Sequence, residues 1–352
     1  MRVAVWGSGN MGRAAVRAVQ AHPDLRLAAL LSSSRVGEDA GVVAGLGALG
    51  VPASSDVDVV LASGIDAVVY AASGDLRPDD AAADVARCLS SGAVVVTPSL
   101  YALYDVRSAP ASLADPLRKA AVDGGSALFV SGIDPGWGND LLPVLLSGLG
   151  TTITQVRCQE LFDYSTYDAP EAVRGSVGMG GPMDQVPMMV LPGVPTMIWG
   201  GQLRLMARGL GIELDEIRES VERRALESDV SNAMGLFEAG TQGGLRFEVV
   251  GVSGGRDVLV VEHVTRIHPS VAPDWPAPAD GGAGAHVVIL EGEPRLVVTV
   301  AAEAEGGNRA AGGNATAAAR LVNAIPWLRA AAPGLYDALD VPLSPAIGRL
   351  RG

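Results

Sequence analysis

Lysine is almost absent from this sequence, in which Lys119 is the single lysine among 26 basic residues. It lies in residues 117–121, which read as the exposed face of a helix. A dehydrogenase that uses a lysine general base would have to rely on this one side chain. The sequence therefore argues against that class of mechanism.

Cysteine and long apolar runs are also scarce. Cys88 and Cys158 show neither the spacing of metal ligands nor that of a disulfide framework. We therefore predict buried thiols in a reducing compartment and no metal site. No apolar run reaches the ~18 residues that a membrane helix requires, and the chain begins with a strand pattern rather than a charged leader. These absences predict a cytoplasmic protein that does not enter a membrane.

Positive charge is outweighed by negative charge, and the formal net charge is −13. This balance argues against nucleic acids and anionic membranes as partners. A hydrophobic fraction of 48% over 352 residues suits two globular domains. We expect the ligands of such a chain to be small molecules.

Glycine is abundant, and the spacing of three glycines near the start of the sequence is typical of a ligand-binding turn. Between an apolar run at 3–6 and a helical pattern at 13–19 lies a complete G-x-G-x-x-G motif, which comprises Gly7, Ser8, Gly9, Asn10, Met11 and Gly12. The first glycine permits a tight turn, the second admits a pyrophosphate, and the third lets the helix pack against the strand. The helix N-terminus then offers N–H groups to phosphates. A chance match among 45 glycines is the alternative, but the strand–turn–helix order favours a dinucleotide site.

The end of the second predicted strand distinguishes between the two nicotinamide dinucleotides. NAD-binding proteins usually place a carboxylate there for the ribose 2′-hydroxyl, whereas this chain has Ser32, Ser33, Ser34 and Arg35. Hydroxyls and a guanidinium suit a 2′-phosphate. We predict NADP(H), with NAD as the less favoured cofactor. An ordinary serine-rich loop with a solvated arginine is the alternative.

Strand and helix patterns alternate through the first part of the chain, which predicts a doubly wound parallel sheet, a Rossmann fold. The predicted strands are 2–6, 26–31, 66–71, 93–97 and 127–131, and the predicted helices are 11–21, 37–47, 79–91 and 112–124. We expect a cofactor-binding domain over 1–142, with 308–352 packing back onto it.

The second part changes character and predicts an α+β domain over 143–307 with an open mixed or antiparallel sheet. Its predicted strands are 152–163, 243–252, 256–266, 284–292 and 295–302, and its predicted helices are 140–149, part of 183–209, and a charged amphipathic segment at 213–226. A further apolar helix is expected at 310–323. One face of this sheet would cover its own helices, and the other would need a partner, so we predict a homodimer built on this substrate domain.

Ligands of open α/β folds bind at the carboxyl ends of the strands. Ala72, Ser73 and Pro98 follow the third and fourth strands and are expected to bind the cofactor. Three candidate catalytic residues follow the fourth and fifth strands: Tyr101, Tyr104 and Asp134. A tyrosine hydroxyl can donate a proton or orient a substrate, although either ring could instead pack over the nicotinamide. Asp134 could stabilise an ammonium or iminium ion, or it could only cap the Asp-Pro-Gly-Trp turn.

Five residues are candidates for substrate binding: Trp137, Asp163, Tyr164, Tyr167 and His263. Asp163 and the two tyrosines end the first strand of the second domain, where they could line a cleft or simply form a polar strand end. His263 alternates with Val261 and so points to one face of a strand; a lone strand histidine is often only a packed structural residue. Trp137 could form the wall of an apolar pocket or belong to the core.

Five segments carry a resemblance to a known family: GSGNMG at 7–12, SGIDPGW at 131–137, FDYSTY at 162–167, VEHVTR at 261–266 and NATAAARLVNAIP at 314–326. Through them the chain resembles the dihydrodipicolinate reductase-like superfamily and, within it, the branch of 2,4-diaminopentanoate dehydrogenase and the native amine dehydrogenases. The resemblance spans nearly the whole chain. It implies NAD(P)H-dependent reduction of a carbon–nitrogen double bond formed from a carbonyl compound and ammonia or an amine, or the reverse oxidation.

The chain departs from that superfamily in informative places. Dihydrodipicolinate reductases carry a His-His pair and a lysine before a Ser-Gly-Thr-Ala stretch, and the absence of both here excludes that reaction. Amine dehydrogenases place a catalytic glutamate soon after the strand that here ends at Thr97, yet residues 98–105 contain none. Asp134 and Asp163 stand where the family usually has polar asparagines. The resemblance therefore implies that the carboxylate has moved.

Three functions are compatible with these observations. The favoured one is an NADPH-dependent oxidoreductase acting on an imine or amine, because polar residues persist at the expected substrate positions. The others are a carbonyl reductase and a degenerate NADP-binding sensor without turnover, which the missing glutamate would suit.

Overall fold

The computed structural model describes residues 1–74, 77–167 and 169–350, and these form two compact units. Unit 1 comprises Met1–Trp137 and Asn314–Gly352, and unit 2 comprises Gly138–Gly313. The chain thus leaves the first unit once, builds the second, and returns through its last helix.

Within the described residues, seven strands of unit 1 form one sheet in which every pairing is parallel. The strands are β1 (Arg2–Trp6), β2 (Arg26–Leu31), β3 (Ala53–Ser54), β4 (Ala67–Tyr70), β5 (Val94–Thr97), β6 (Ala127–Val130) and β15 (Gly334–Tyr336), in the spatial order β15-β6-β5-β4-β1-β2-β3. The order reverses beside β1, between the strands that lead to β3 and those that lead to β6. The predicted doubly wound parallel sheet is confirmed.

Helices cover both faces of this sheet: α1 (Asn10–Ala21), α2 (Ala40–Ala44), α3 (Val57–Ala62), α4 (Pro78–Ser90), α5 (Ala111–Gly124) and α8 (Arg309–Ala330). The central strands β4, β5 and β6 are buried along their whole length, as strands enclosed on both faces must be. Buried side chains of α1 and α8 pack on one side, and those of α4 and α5 pack on the other. Apolar burial on two sides therefore holds the unit together.

Unit 2 is built on a six-stranded sheet within the described residues, in the order β14-β13-β7-β12-β11-β8. Its strands are β7 (Thr152–Asp163), β8 (Glu216–Ala225), β11 (Gln242–Ser253), β12 (Arg256–Arg266), β13 (Gly284–Glu293) and β14 (Leu296–Val300). Among these described strands only β7 and β12 pair in parallel, so the predicted mixed sheet is confirmed. Two further strands, β9 (Val230–Asn232) and β10 (Gly235–Phe237), form a hairpin, and the helices are α6 (Leu141–Ser147) and α7 (Val194–Leu210).

The amphipathic helix predicted at 213–226 is wrong, because residues 216–225 form β8. Glutamate and arginine recur there at a spacing that suits a helix, but the same residues satisfy an edge strand, where charges protect the exposed edge. Arg246 on β11 lies 3.0 Å from Glu222 on β8, and the two strands pair over nearly their full length. Pairing with β11 therefore outweighs the local helical propensity of this segment.

The sequence did not predict the short strands β3, β9, β10 and β15 or the helix α3. The helix predicted at 37–47 is shorter in the structure, where it comprises Ala40–Ala44.

The two faces of the unit 2 sheet differ in chemistry. On the helix-covered face, Trp199 of α7 packs against Phe247 and His263. On the other face, here called the charged face, Arg157 contacts both Glu248 and Glu262 at 2.6 Å. Because side chains alternate along a strand, one strand contributes to both environments.

The helices that the structure describes include none with the length and hydropathy that a membrane crossing requires.

Candidate functional site

The glycine motif forms a turn in which two glycines are sterically required. Gly7 has a φ of +121°, and a Cβ there would lie 2.7 Å from the backbone of Ala71. A Cβ on Gly12 would lie 1.9 Å from the carbonyl oxygen of Gly7. Around Gly9, in contrast, the described residues other than Gly9 and its two chain neighbours place no atom within 4 Å of the position of a Cβ. Gly7 and Gly12 therefore serve the fold, and Gly9 leaves open space beside the turn.

The N-terminus of α1 matches what a pyrophosphate needs. Gly9 caps the helix without a side-chain hydrogen bond, and the first turn, which begins with Asn10 and Met11, carries no acidic residue. The positive end of the helix dipole and its N–H groups thus meet no carboxylate of their own turn. With the open space at Gly9, these features fit a bound dinucleotide.

The end of β2 presents hydroxyls beside this turn. The hydroxyl of Ser8 lies 2.8 Å from that of Ser32, and Ser32 lies 3.5 Å from Ser34. The three residues that follow Ser32, which are Ser33, Ser34 and Arg35, are exposed. Arg35 pairs with Glu38 at 3.3 Å, with both side chains about half exposed. A pair so exposed is weak, so the guanidinium can exchange its partner.

The loops after β4 and β5 lie against each other at the same edge of the sheet. The hydroxyl of Ser99 donates to the carbonyl oxygen of Ala72 at 2.7 Å, and a Cβ on Gly74 would meet the carbonyl oxygen of Ser99. Ser73 is exposed there, and Pro98 is partly buried. The three residues predicted to bind the cofactor on these loops therefore share one edge.

The candidate catalytic residues of unit 1 lie on the next part of that edge. Tyr101 is half-buried, and its ring stacks 6.5 Å from that of Tyr104. Tyr104 is buried and donates to the carbonyl oxygen of Pro98 at 3.1 Å. Its hydroxyl also borders Gly132, in the loop that carries the partly buried Asp134. The structure thus brings Tyr104 next to the 132–137 loop.

That loop folds back on itself. The N–H of Trp137 donates to the carbonyl oxygen of Gly132 at 3.0 Å, and Gly136 has a φ of +142° with backbone atoms of Gly132 where a Cβ would lie. The Asp-Pro-Gly-Trp segment is therefore a closed backbone turn, and capping by the Asp134 side chain stays a prediction. The turn fixes the backbone at Asp134 and is compatible with a ligand role for its side chain.

A second polar cluster of unit 2 lies on the helix-covered face. Glu160 on β7 is in register with His263 on β12 and with His286 on β13. Its Oε2 atom lies 3.7 Å from Nδ1 of His263 and 3.9 Å from Nε2 of His286. We call these three residues the Glu160 row. The side chain of Glu160 is 15% exposed, and each imidazole is 6% exposed.

Aromatic rings surround the Glu160 row. Phe247 stacks on His263 at 4.7 Å with an interplanar angle of 4°, and Trp199 lies 4.4 Å from the same imidazole. Phe162 lies 5.3 Å from His286. The carboxylate and its two imidazoles are therefore set among apolar rings.

The remaining predicted residues of unit 2 divide between two roles. Tyr164 donates to Oε1 of Glu160 at 3.4 Å, and its ring contacts that of Tyr167 at 5.0 Å. Asp163 instead accepts the N–H of Ser165 at 2.9 Å and so caps a 3₁₀ turn. The structure thus connects His263 and Tyr164 through Glu160, whereas the hydrogen bond of Asp163 stays within its own turn.

Sequence reasoning missed Glu160 and His286. Each lies in a segment correctly predicted to be a strand, but neither belongs to a local motif. The signal available for them in the sequence is the alternation of side chains along each strand. This alternation predicts which face of the sheet a residue occupies, but not which residue of another strand it contacts. The contact appears once β7 is known to lie between β12 and β13.

Two protein families match parts of this chain. The model of the 2,4-diaminopentanoate dehydrogenase C-terminal domain matches residues 139–350, and that of the dihydrodipicolinate reductase N-terminus matches residues 1–96. An amine dehydrogenase of Streptomyces virginiae is 62% identical over 350 residues, which cover 98% of this chain and 97% of the relative. The 2,4-diaminopentanoate dehydrogenase of Acetoanaerobium sticklandii is 24% identical over 67% of this chain and 63% of its own length.

A solved structure shares the fold. The amine dehydrogenase of Mycobacterium smegmatis superposes with a TM-score of 0.78 at 22% identity, and the match covers 98% of this chain and 97% of that one. The family model over residues 139–350 and the 62% identical relative confirm the resemblance inferred from the five sequence segments.

Two glycine substitutions should separate the structural and ligand-binding roles of the turn. We expect Gly12→Ala to destabilise the protein by about 1–3 kcal/mol, because the new methyl group overlaps a backbone oxygen. Gly9→Ala should leave the unfolding midpoint unchanged and weaken NADPH binding by about tenfold, about 1.4 kcal/mol, because its methyl group enters only the space assigned to the phosphates. Thermal unfolding and fluorescence titration with NADPH measure the two effects. Unaltered NADPH affinity in Gly9→Ala would contradict the assignment.

Proposed function

The chain belongs to the family of amine dehydrogenases and 2,4-diaminopentanoate dehydrogenases, and from this premise we propose that it catalyses the reductive amination of a ketone or aldehyde, and the reverse oxidation of the amine. The observation that carries the proposal is the glycine turn at the head of α1, joined in one chain to the dehydrogenase C-terminal domain. A bound nicotinamide dinucleotide supplies or accepts the hydride. In the forward direction a carbonyl compound, an ammonium ion and the reduced dinucleotide yield the neutral amine, the oxidised dinucleotide and water.

Carboxylates suit the steps that precede hydride transfer. Ammonium must be bound and deprotonated before its nitrogen can attack a carbonyl carbon, and the oxygen must leave as water. A carboxylate assists binding and proton transfer. Once the iminium has formed, hydride transfer removes its positive charge, so a carboxylate close by opposes that step rather than assisting it.

We assign Asp134 to ammonium capture, proton transfer and substrate orientation. Its support is its position after β6 on the ligand edge of the sheet, in a tight turn that fixes its direction. Tyr101 is the better candidate of the two tyrosines to approach substrate, because Tyr104 is buried and its hydroxyl donates to the carbonyl of Pro98. Trp137 belongs to unit 1, and the other predicted substrate residues belong to unit 2, where they lie on or beside the end of β7 and on β12.

The activity and the role of Asp134 can be tested together. We expect the wild type to oxidise NADPH in a screen of ketones and aldehydes supplied with ammonium. Asp134→Asn should slow amination by at least tenfold, about 1.4 kcal/mol, yet reduce a preformed neutral imine much as the wild type does and bind NADPH normally. If Asp134→Asn retains full amination activity, the residue serves only the turn. If no carbonyl compound or imine supports NADPH oxidation by the wild type, the reductive amination proposal fails.

We also propose that NADP(H) is the preferred cofactor. Support comes from the hydroxyls of Ser32 and Ser34 near Ser8 and from the exposed guanidinium of Arg35. The nearest following carboxylate, Glu38, pairs with Arg35. A 2′-phosphate would compete with Glu38 for this guanidinium and win by its greater charge.

Opposite changes at this pair should move NADPH affinity in opposite directions. Arg35→Ala should weaken NADPH by about tenfold and NADH little, because only NADPH carries the phosphate. Glu38→Gln should strengthen NADPH and leave NADH nearly unchanged, because a competitor for Arg35 is removed. Dissociation constants for both cofactors measure this. Equal losses for NADH and NADPH in Arg35→Ala would disprove the preference.

The third part of the proposal is a homodimer through the charged face of unit 2. That face mixes ion pairs with apolar residues, including Ile289 on β13 and the exposed Val297 on β14 beside it. The helices α6 and α7 pack on the opposite side. A second copy of the sheet, bearing both charges and apolar side chains, matches such a face.

Charge introduced at this face should disrupt the dimer. Val297→Glu is expected to convert the wild-type dimer to a monomer in light scattering, because it buries an uncompensated carboxylate in the interface. Val122→Glu is the matched control, since Val122 is similarly exposed on α5 of unit 1. A monomeric wild type at micromolar concentration, or an unchanged dimer in Val297→Glu, would argue against this interface.

A further inference from the structure

We propose that Asp39 is a positioning residue for cofactor preference, because its carboxylate holds residues 32–38 in the conformation that presents Arg35 to the 2′-phosphate of NADP(H). This inference rests on the proposed cofactor preference and adds to it a residue that acts through the backbone rather than by contact with the phosphate. We call residues 32–38 the recognition loop and residues 47–51 the anchor segment. Both belong to unit 1.

Five backbone N–H groups donate to the carboxylate of Asp39. Those of Gly41 and Val42 donate at 2.8 and 3.3 Å, so the side chain caps the N-terminus of α2. The other three donors belong to the anchor segment and lie 2.7–3.0 Å from the carboxylate oxygens: Leu49, Gly50 and Val51. One side chain therefore joins the start of α2 to a segment that follows that helix in the chain.

Backbone hydrogen bonds carry this connection into the recognition loop. The N–H of Gly37 donates to the carbonyl oxygen of Ala53 in β3, and the N–H of Ala53 donates to that of Glu38, both at 2.8 Å. Within the loop, the N–H of Glu38 donates to the carbonyl oxygen of Arg35 at 3.0 Å. The turn that carries the guanidinium is thus closed on itself and joined to β3. Because β3 directly follows the anchor segment in the chain, a displacement of that segment also displaces the strand that holds the turn.

The anchor segment packs closely against α2. A Cβ on Gly41 would lie 2.1 Å from the carbonyl oxygen of Gly47 and 2.5 Å from Cγ of Leu49. The N–H of Ala40 donates to the carbonyl oxygen of Val51 at 2.8 Å. Backbone groups of two segments therefore meet at short range, and the carboxylate of Asp39 supplies acceptors for the N–H groups gathered there.

Glu38 and Asp39 are adjacent acids with different partners. Glu38 pairs with the guanidinium of Arg35 at 3.3 Å. The carboxylate of Asp39 instead accepts backbone hydrogen bonds, and these, that of Leu49 foremost, lower the pKa of Asp39 to about 2. Asp39 therefore stays ionised at neutral pH and keeps its full capacity to accept N–H groups. Its charge serves the conformation of the loop, whereas that of Glu38 is directed at Arg35.

The first test measures cofactor preference as the ratio of the dissociation constants of NADH and NADPH. Asp39→Asn should weaken NADPH by about tenfold and NADH by less than about twofold, because its amide NH2 group replaces an acceptor and faces N–H donors. Asp56→Asn is the matched control, since Asp56 caps α3 directly after β3 and accepts the N–H of Val59 at 3.0 Å. Its ratio should equal that of the wild type. A wild-type ratio in folded Asp39→Asn would overturn the inference.

The second test asks whether Asp39 acts through Arg35. Arg35→Ala removes the guanidinium, so Asp39→Asn added to it should cost no further NADPH affinity, whereas losses that add would contradict the inference. The failure of each proposal is distinguishable. A wild type that binds NADPH no better than NADH contradicts the cofactor preference and this inference with it. A preference for NADPH that is lost in Arg35→Ala and kept in Asp39→Asn contradicts the role of Asp39 alone.

A serine variant covers the case in which Asp39→Asn does not fold. Serine also caps helices well, so Asp39→Ser should retain the cap of α2 and lose the bonds to the anchor segment, and with them the preference for NADPH.

Limited digestion with trypsin adds a measurement that needs no cofactor. Cleavage after Arg35, identified by mass spectrometry, should be faster in Asp39→Ser than in the wild type and in Asp56→Asn, because the recognition loop is held less firmly. In folded Asp39→Ser, either a wild-type preference for NADPH or a wild-type rate of cleavage after Arg35 would overturn the inference and leave Asp39 as a helix cap.

Discussion

The register of β7 between β12 and β13 is the constraint on which the chemistry of unit 2 depends. Side chains alternate along a strand, so a slip of one residue would turn Glu160 toward the charged face and bring Gln159 among the aromatic rings. The buried apolar residues of β7 and β12 oppose such a slip, because it would expose Val156 and Val261 together with their neighbours on the helix-covered face. Core packing thereby places a carboxylate and two imidazoles in one row.

The same alternation lets one sheet hold two glutamates under different electrostatic conditions. A buried carboxylate costs several kcal/mol unless compensated. The guanidinium groups of Arg157 and Arg246 compensate the negative charge of Glu262 and so offset the free-energy cost of removing this carboxylate from water. Two imidazoles and a phenol border Glu160 on the other face.

In unit 1 the constraint that shapes the ligand edge of the sheet is steric rather than electrostatic. Gly7 and Gly12 allow the turn after β1 to approach both α1 and the end of β4. That approach sets the helix N-terminus at the edge of the sheet where the order of strands reverses. The same edge carries the loops of Ala72, Pro98, Tyr101 and Asp134, so the sheet gathers the candidate residues of unit 1 without any of them being adjacent in sequence.

The amino-acid sequence by itself determined the features that depend on local pattern: the glycine turn, the alternation of parallel strands with helices, and the lack of a carboxylate directly after β2. Each is encoded within a few consecutive residues, where steric requirements and hydrophobic periodicity act directly. The family resemblance also came from short segments. The predicted roles of Asp134, Tyr101 and Arg35 remain predictions, because side-chain chemistry alone does not assign a ligand.

Only the tertiary structure decided the nature of residues 216–225 and the partners of Glu160. The spacing of charged residues in 216–225 fits either a helix or an edge strand, and pairing with β11 makes this segment a strand. Glu160, His263 and His286 are separated by 103 and 23 residues along the chain, and nothing local links them. Their contact arises from strand order and register, which depend on the burial of the whole sheet, and no segment of sequence contains that information alone.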